Sequence, residues 1–306
     1  MLGRHSFALL AAFIASAGLV SSADAGFQIA NGKPTESSNW PFMAALAKTE
    51  PATGELSYFC GGTLIAPEWV LTAAHCLVAS DGGGIQPGQM MITFGLHQLN
   101  HAEEWNHRAI DRIVVHEAYD RVSQANDIAL IKLKKPWLGK VARLADAEMA
   151  TSEGAEVAVA GYGSVGEGGS LTRIALRSGK GSISTPSNSL LNAWVKVSSS
   201  QSCSANYAAL AQEDVEFAAK FDDKVQLCAG LRDGLTDSCQ GDSGGPLMLP
   251  VRGQERERVQ IGIVSFGYGC ARAEFPGVYT RVAAYRPWLQ SHVGELSGAG
   301  SGEVNR

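Results

Sequence analysis

Asp237-Ser238-Cys239-Gln240-Gly241-Asp242-Ser243 sets two carboxylates and two hydroxyls within seven positions, and Gly244-Gly245-Pro246 follows. Gly, Asp, Ser and Pro also make ordinary turns, so chemistry here requires partners elsewhere in the chain. A serine hydroxyl is a weak nucleophile until a base takes its proton, and that base must be held in one tautomer by a third group. His97, His101 and His107 fall in HQLNHAEEWNH, a polar stretch suited to a solvated loop. His97, His101 and Glu103 would ligate a metal only on a helix that this stretch does not announce. His116 follows a strand-like run and needs no role, whereas His75 sits among small residues in Leu71-Thr72-Ala73-Ala74-His75-Cys76. Asp127, in Ala125-Asn126-Asp127-Ile128-Ala129-Leu130, stands at the lip of an apolar run. A carboxylate there needs a hydrogen-bonding partner to offset its desolvation, and an imidazole N–H would serve.

Gly241-Asp242-Ser243-Gly244-Gly245 also fits the G-x-S-x-G elbow of α/β-hydrolases. That fold needs an acid and then a histidine after the serine, yet no Asp follows Ser243 and the one later histidine is His292. The elbow reading is therefore set aside.

The elements that must position these groups read mostly as strands. Runs at 90–95, 112–115, 127–133, 156–161, 259–266 and 277–282 are each bounded by Gly, Pro, Asn or Asp. No long amphipathic helical repeat alternates with them, which argues against a parallel α/β sheet. Short helices are predicted over 73–79 and over 283–293, where Tyr285, Trp288, Leu289 and His292 share a face. Glycine-rich loops are expected at 80–88 and 163–169, and a charged hairpin tip at 252–258.

Residues 1–25 read as a secretory signal: Arg4 and His5, an apolar run from Phe7 to Val20, then an A-x-A site at Ala23 and Ala25. The run is shorter than the ~20 residues that span a bilayer, so an exported protein that is not membrane-integral is expected. A net charge of -5 with no acidic or basic block gives no support to nucleic-acid binding. Cys60, Cys76, Cys203, Cys228, Cys239 and Cys270 all follow the signal. An even count in an exported chain points to disulfides, with the pairing left open, and the absence of any C-x-x-C weakens a zinc reading.

LTAAHC, NDIALIKL and GDSGGP, in that order, resemble the three signature blocks of the trypsin-like, chymotrypsin-fold serine proteases. Tyr58-Phe59-Cys60-Gly61-Gly62-Thr63-Leu64-Ile65, Gly161-Tyr162-Gly163, Leu227-Cys228-Ala229-Gly230 and Pro276-Gly277-Val278-Tyr279-Thr280 are similar to further family segments. The likeness runs from Ile29 to about Val293. It implies an all-β fold of two packed six-stranded antiparallel β-barrels with a C-terminal helix and the active site in the cleft. The implied division is a signal at 1–25, a short pro-segment at 26–28, the protease domain at 29–293 and a flexible Gly/Ser tail at 294–306.

The resemblance also assigns roles. His75 is the base, Asp127 its orienting acid and Ser243 the nucleophile, with the backbone N–H groups of Gly241 and Ser243 as the oxyanion hole. Asp237 selects Arg or Lys from within a pocket walled by Ser238, Ser265, Phe266, Gly267 and Gly277. Phe266 stands where the family often has Trp. Asp242 pairs with a new N-terminus at Ile29, and bridges join Cys60 to Cys76, Cys203 to Cys228, and Cys239 to Cys270. No cofactor or metal is implied, and Leu96 stands where calcium-binding members place a Glu. The implied partners are polypeptide substrates and protein protease inhibitors, and a monomer is expected.

Two further departures qualify the likeness. Gln28 precedes the expected activation bond in place of Arg or Lys, so self-activation is not expected. Tyr58 replaces a His that many members use to hold the precursor inactive, so latency is expected to be weak or differently maintained. A protease fold that has lost catalysis is the alternative, but none of His75, Asp127 and Ser243 is missing.

Overall fold

The structure, a computed structural model, describes residues 32–296 apart from 51, 80–81, 148, 150, 165–171, 177–181, 215–216, 232–235 and 252. The signal, the pro-segment, Ile29 and the end of the chain from 297 lie outside the described residues. Among the described residues, no helix is long and apolar enough to cross a membrane.

Two sheets carry the molecule, and each closes on itself. In the first, Met43–Thr49 pairs with Leu56–Ala66 and with Met90–Phe94. Leu56–Ala66 pairs in turn with Trp69–Thr72, which pairs with Ala129–Leu133. The edges are His107–Arg108 on Met90–Phe94 and Ile110–Val115 on Ala129–Leu133. Only Ala109 separates those two edge pieces, so the continuous chain stitches the sheet into a six-stranded barrel. Closure leaves no free edge and turns one face of every strand inward. Leu64, Leu71, Ile92 and Leu130 are accordingly buried completely.

The second barrel runs Leu191–Val197, Glu156–Gly161, Pro246–Val251, Gln254–Phe266, Gly277–Arg281, Gln226–Gly230 and back to Leu191–Val197. Its interior holds Val157, Val159, Leu227, Leu247, Val259 and Tyr279. Ala158, Ala160, Met248 and Ile263, from the same strands, pack instead with the core of the first barrel. Alternation along a strand thus fills one barrel from one face and glues it to its neighbour from the other. The expected all-β class and the two antiparallel barrels are observed, and they exclude the α/β-hydrolase elbow.

Helix readings succeed unevenly. At the C-terminus a 3₁₀ turn, Val282–Tyr285, runs into helix α2 (Arg286–Val293), with Tyr285 and Leu289 buried as the spacing predicts. The helix predicted over 73–79 is instead one 3₁₀ turn, Ala74–Cys76. Cys76 is bridged back to Cys60, and Val78 joins Gly84 in a β-bridge, so the chain must leave the helical path at once. The sequence reading missed helix α1 (Ser200–Glu213), which buries only Cys203, Tyr207 and Leu210. The charged tip expected at 252–258 is strand from Gln254 onward, within Gln254–Phe266, and Arg252 lies outside the described residues.

Candidate active site

His75 ends the path that the strand Trp69–Thr72 starts, and its turn is anchored by the Cys60–Cys76 bridge. Its ring nitrogen Nδ1 lies 2.8 Å from Asp127 Oδ2, while its backbone N–H donates to Asp127 Oδ1 at 2.9 Å. Asp127 is delivered by a non-glycine residue in the left-handed region, Asn126 at φ 55°, immediately before the strand Ala129–Leu133. Tyr285 braces that corner by donating its hydroxyl to Asn126 Oδ1 at 2.9 Å. The second oxygen of Asp127 also accepts the Ser265 hydroxyl at 2.5 Å, and Thr280 donates to the Asp127 backbone carbonyl at 2.7 Å.

These contacts fix the electrostatics of the pair. Burial would lower the His75 pKa, but the charge and hydrogen bond of Asp127 outweigh it and hold the imidazole above its usual value. Burial would raise Asp127, yet the charge of His75 with hydrogen bonds from His75 and Ser265 keeps it below the usual range. With Nδ1–H committed to a buried carboxylate, a neutral His75 carries its lone pair on Nε2. That nitrogen is then available to take a proton.

Ser243 lies on a turn clamped between the barrels. Its carbonyl accepts from Gly61 N–H at 2.7 Å, Gly244 N–H donates to Val264 at 2.8 Å, and Gly245 N–H donates to Asp242 at 2.8 Å. Gly244 has φ +78°, and a Cβ there would fall 2.2 Å from Thr72 Oγ1 and 2.5 Å from the Gly61 carbonyl. Only glycine fits so close an approach. The clamp brings Ser243 beside Gly61, next in sequence to Cys60 and hence beside the His75 turn. Among the described residues no hydrogen bond joins Ser243 Oγ to His75. In unliganded sites of this kind such bonds are commonly long and tighten with substrate.

Ser243 sits on the wall of a cavity of about 200 Å³ whose lining includes Asp237, Ser238, Ser265, Phe266, Gly267 and Gly277. The sequence reading named all of these. Asp237 is buried, takes N–H bonds from Ser238 at 2.8 Å and Ala271 at 3.3 Å, and has no cation paired with it among the described residues. Burial pushes its pKa up to about 7 against those hydrogen bonds. A Cβ at Gly277 would come within 2.8 Å of Asp237 Oδ1, so glycine keeps the carboxylate reachable. Cys239–Cys270 bridges two walls of the cavity and Cys203–Cys228 ties α1 to the second barrel; all three expected bridges are present.

Asp242 is not part of the cavity lining. It is wholly buried, accepts N–H bonds from Cys239 and Gly163 at 2.9 Å each, and is also pushed to about 7 by burial. A Cβ at Gly161 or Gly163 would strike this carboxylate, so two glycines make room for it. His97 and His101 meet edge to face at 5.6 Å, and with Glu103 they form no metal-ligating group among the described residues. Leu96 is buried, and its carbonyl accepts the Tyr162 hydroxyl at 2.5 Å.

Several contributors were not assigned from the sequence. Ser265 was read as a pocket wall, and its hydroxyl on Asp127 was missed. Tyr279, whose hydroxyl is 3.1 Å from Ser238 Oγ, and Thr280 both lay in a segment recognised for its pattern alone. Ser164 holds the Gln240 carbonyl with its N–H at 2.6 Å, beyond the end of the Gly161-Tyr162-Gly163 motif.

A family model described as Trypsin matches residues 29–289. The chain is 37% identical over 265 residues to coagulation factor XII of Sus scrofa, covering 82% of this chain and 39% of that protein. It is 31% identical over 258 residues to the clotting factor G beta subunit of Tachypleus tridentatus, covering 82% and 75%. It is 30% identical over 272 residues to serine proteinase stubble of Drosophila melanogaster, covering 87% and 31%. The chain therefore spans well under half of two of these relatives and most of the third.

Proposed function

The chain belongs to the trypsin family of chymotrypsin-fold serine proteases, and from that membership we propose that it is an exported endopeptidase cleaving polypeptides after Arg or Lys. The observation carrying this reading is the cavity that holds Ser243 at its wall and the buried carboxylate of Asp237 within it, which has no paired cation among the described residues. A guanidinium or ammonium entering there would form a charge-assisted pair that no apolar side chain can match.

In this reading Ser243 Oγ attacks the carbonyl carbon of the scissile bond while its proton passes to Nε2 of His75. The imidazolium is stabilised by Asp127, and the oxyanion is held by the N–H groups of Gly241 and Ser243. The C–N bond then breaks, the amine leaves with the proton from His75, and water repeats the sequence to free the acid. Asp242 is the seat for the ammonium of Ile29 after the 28–29 bond is cut. The glycine-lined, buried carboxylate supports that role, and Gln28 calls for a cutting protease of different specificity. Active material whose N-terminus is Gly26 would remove it.

Protein beginning at Ile29 should hydrolyse Arg and Lys amide substrates and leave Phe and Ala amides nearly untouched, with Ser243→Ala inert. Activity surviving Ser243→Ala would refute the mechanism. A Phe preference insensitive to Asp237→Ser would refute the specificity. A folded wild type that turns over none of the four would support the non-catalytic alternative.

A further inference from the structure

The strand Leu56–Ala66 contributes a buried phenol that the mechanism above leaves unused. Tyr58 donates its hydroxyl to the Gly241 carbonyl at 2.7 Å. On the other side of the same glycine, the Gln240 carbonyl accepts from Ser164 N–H at 2.6 Å and from the Ser164 hydroxyl at 3.3 Å. Both peptide units flanking the Gly241 α-carbon are therefore held by their oxygens. No peptide bond among the described residues is cis, so the Gly241 N–H points opposite to the Gln240 carbonyl and away from Ser164.

We propose that Tyr58 is a positioning residue for the oxyanion hole, its hydroxyl anchoring the Gly241 carbonyl so that the Gly241 N–H stays aimed at the reacting carbonyl. The inference rests on the protease reading. Gly241 has φ +93°, and glycine has the widest backbone freedom of any residue, so its N–H keeps one aim only when both flanking peptides are held: Ser164 holds the one that carries the N–H, and Tyr58, with Asp242 N–H on the Cys239 carbonyl at 3.0 Å, holds the next. The anchor itself is rigid. Tyr58 is 1% exposed, and its ring meets that of Tyr162 edge to face at 5.5 Å. Tyr162 is pinned in turn through its hydroxyl to the Leu96 carbonyl. Burial, reinforced by the charge of Asp242, keeps the phenol protonated far beyond neutrality, so it remains a donor wherever His75 is neutral.

Tyr58→Phe keeps the ring and deletes the anchor. It should lower kcat on an Arg amide by roughly 10- to 100-fold, with KM within about twofold of wild type, since a whole lost donor typically costs about 10²- to 10³-fold. A peptide aldehyde, whose hemiacetal oxygen uses the hole, should bind weaker by the same factor. Benzamidine, which fills only the pocket, should bind as before. Thr93→Val is the control: it removes a buried hydroxyl that lies 2.8 Å from His107 Nδ1 and belongs to neither the catalytic groups nor the anchor, so it should cost comparable thermal stability with kcat within about twofold. A Tyr58→Phe enzyme with unchanged kcat, or with aldehyde and benzamidine weakened together, overturns the proposal while leaving the protease reading intact. Wild-type protein whose Ser243 resists a fluorophosphonate overturns both.

Discussion

At the scale of single residues, four ionisable groups have been moved in opposite directions by their surroundings. Asp127 is held ionised by His75 and Ser265, whereas Asp237 and Asp242, given only backbone N–H partners in buried sites, are pushed up to about 7. A cation arriving beside a carboxylate poised there favours its ionised form. On the proposed specificity benzamidine would pair with the ionised form of Asp237, so its affinity should fall about tenfold per pH unit below pH 7, with a proton released on binding at neutral pH. Calorimetry at pH 6.5 in two buffers of different ionisation enthalpy would count that proton. Asp237→Asn should flatten the profile as well as weaken binding, which separates this titration from that of His75. An affinity unchanged from pH 8 to pH 5 would exclude the pocket assignment.

At the scale of elements, the pocket depends on a helix that the letters concealed. Helix α1 is rich in Ser, Gln, Asn and Ala, and its buried residues, Cys203, Tyr207 and Leu210, follow i, i+4, i+7 spacing too sparsely to stand out. Tyr207 packs edge to face on Phe266 and Phe275, each at 5.8 Å, and donates to the Pro276 carbonyl at 3.0 Å. Phe266 lines the cavity, and Pro276 precedes Gly277, so the helix braces two walls at once. Tyr207→Ala should destabilise the fold by about 3–5 kcal/mol, as deletion of a buried aromatic does, and raise KM for Arg substrates more than it lowers kcat. Tyr207→Phe should cost only about 1 kcal/mol. Denaturant melts beside steady-state kinetics would test both, and a purely kcat effect would count against a bracing role. What was legible was what is local: the helical spacing in α2, the strand run Glu156–Gly161 bounded by turn residues, and the blocks LTAAHC, NDIALIKL and GDSGGP around His75, Asp127 and Ser243. The Ser265 and Thr280 hydroxyls on Asp127 were not, because hydrogen bonds made across more than a hundred residues leave no local pattern.

For the whole molecule, two closed barrels have to be held against each other with buried charge in and beside the seam, and pH reports the strain. Asp237 and Asp242 titrate near 7 when folded against an ordinary 3.8, so between those values the native state binds more protons and stability falls as pH rises. His75, also raised, acts in the same sense: its contribution is present in acid and lost as pH climbs through its folded pKa. Asp127 opposes them, but its contribution is complete above the carboxylate range and disappears only as pH falls through its depressed value. The balance from pH 6 to pH 8 is therefore negative unless a cation arrives. In a Ser243→Ala background that prevents autolysis, a chain retaining Gln28 should melt roughly 5 °C or more lower at pH 8 than at pH 6. A chain beginning at Ile29 should lose much of that slope, because its ammonium would pair with Asp242 and remove one of the raised carboxylates. Asp242→Asn in the longer chain should flatten the slope by a different route, with no charge left to compensate. A longer chain whose melting temperature rises with pH, or equal slopes in the two forms, would mean that Asp242 does not receive the new N-terminus.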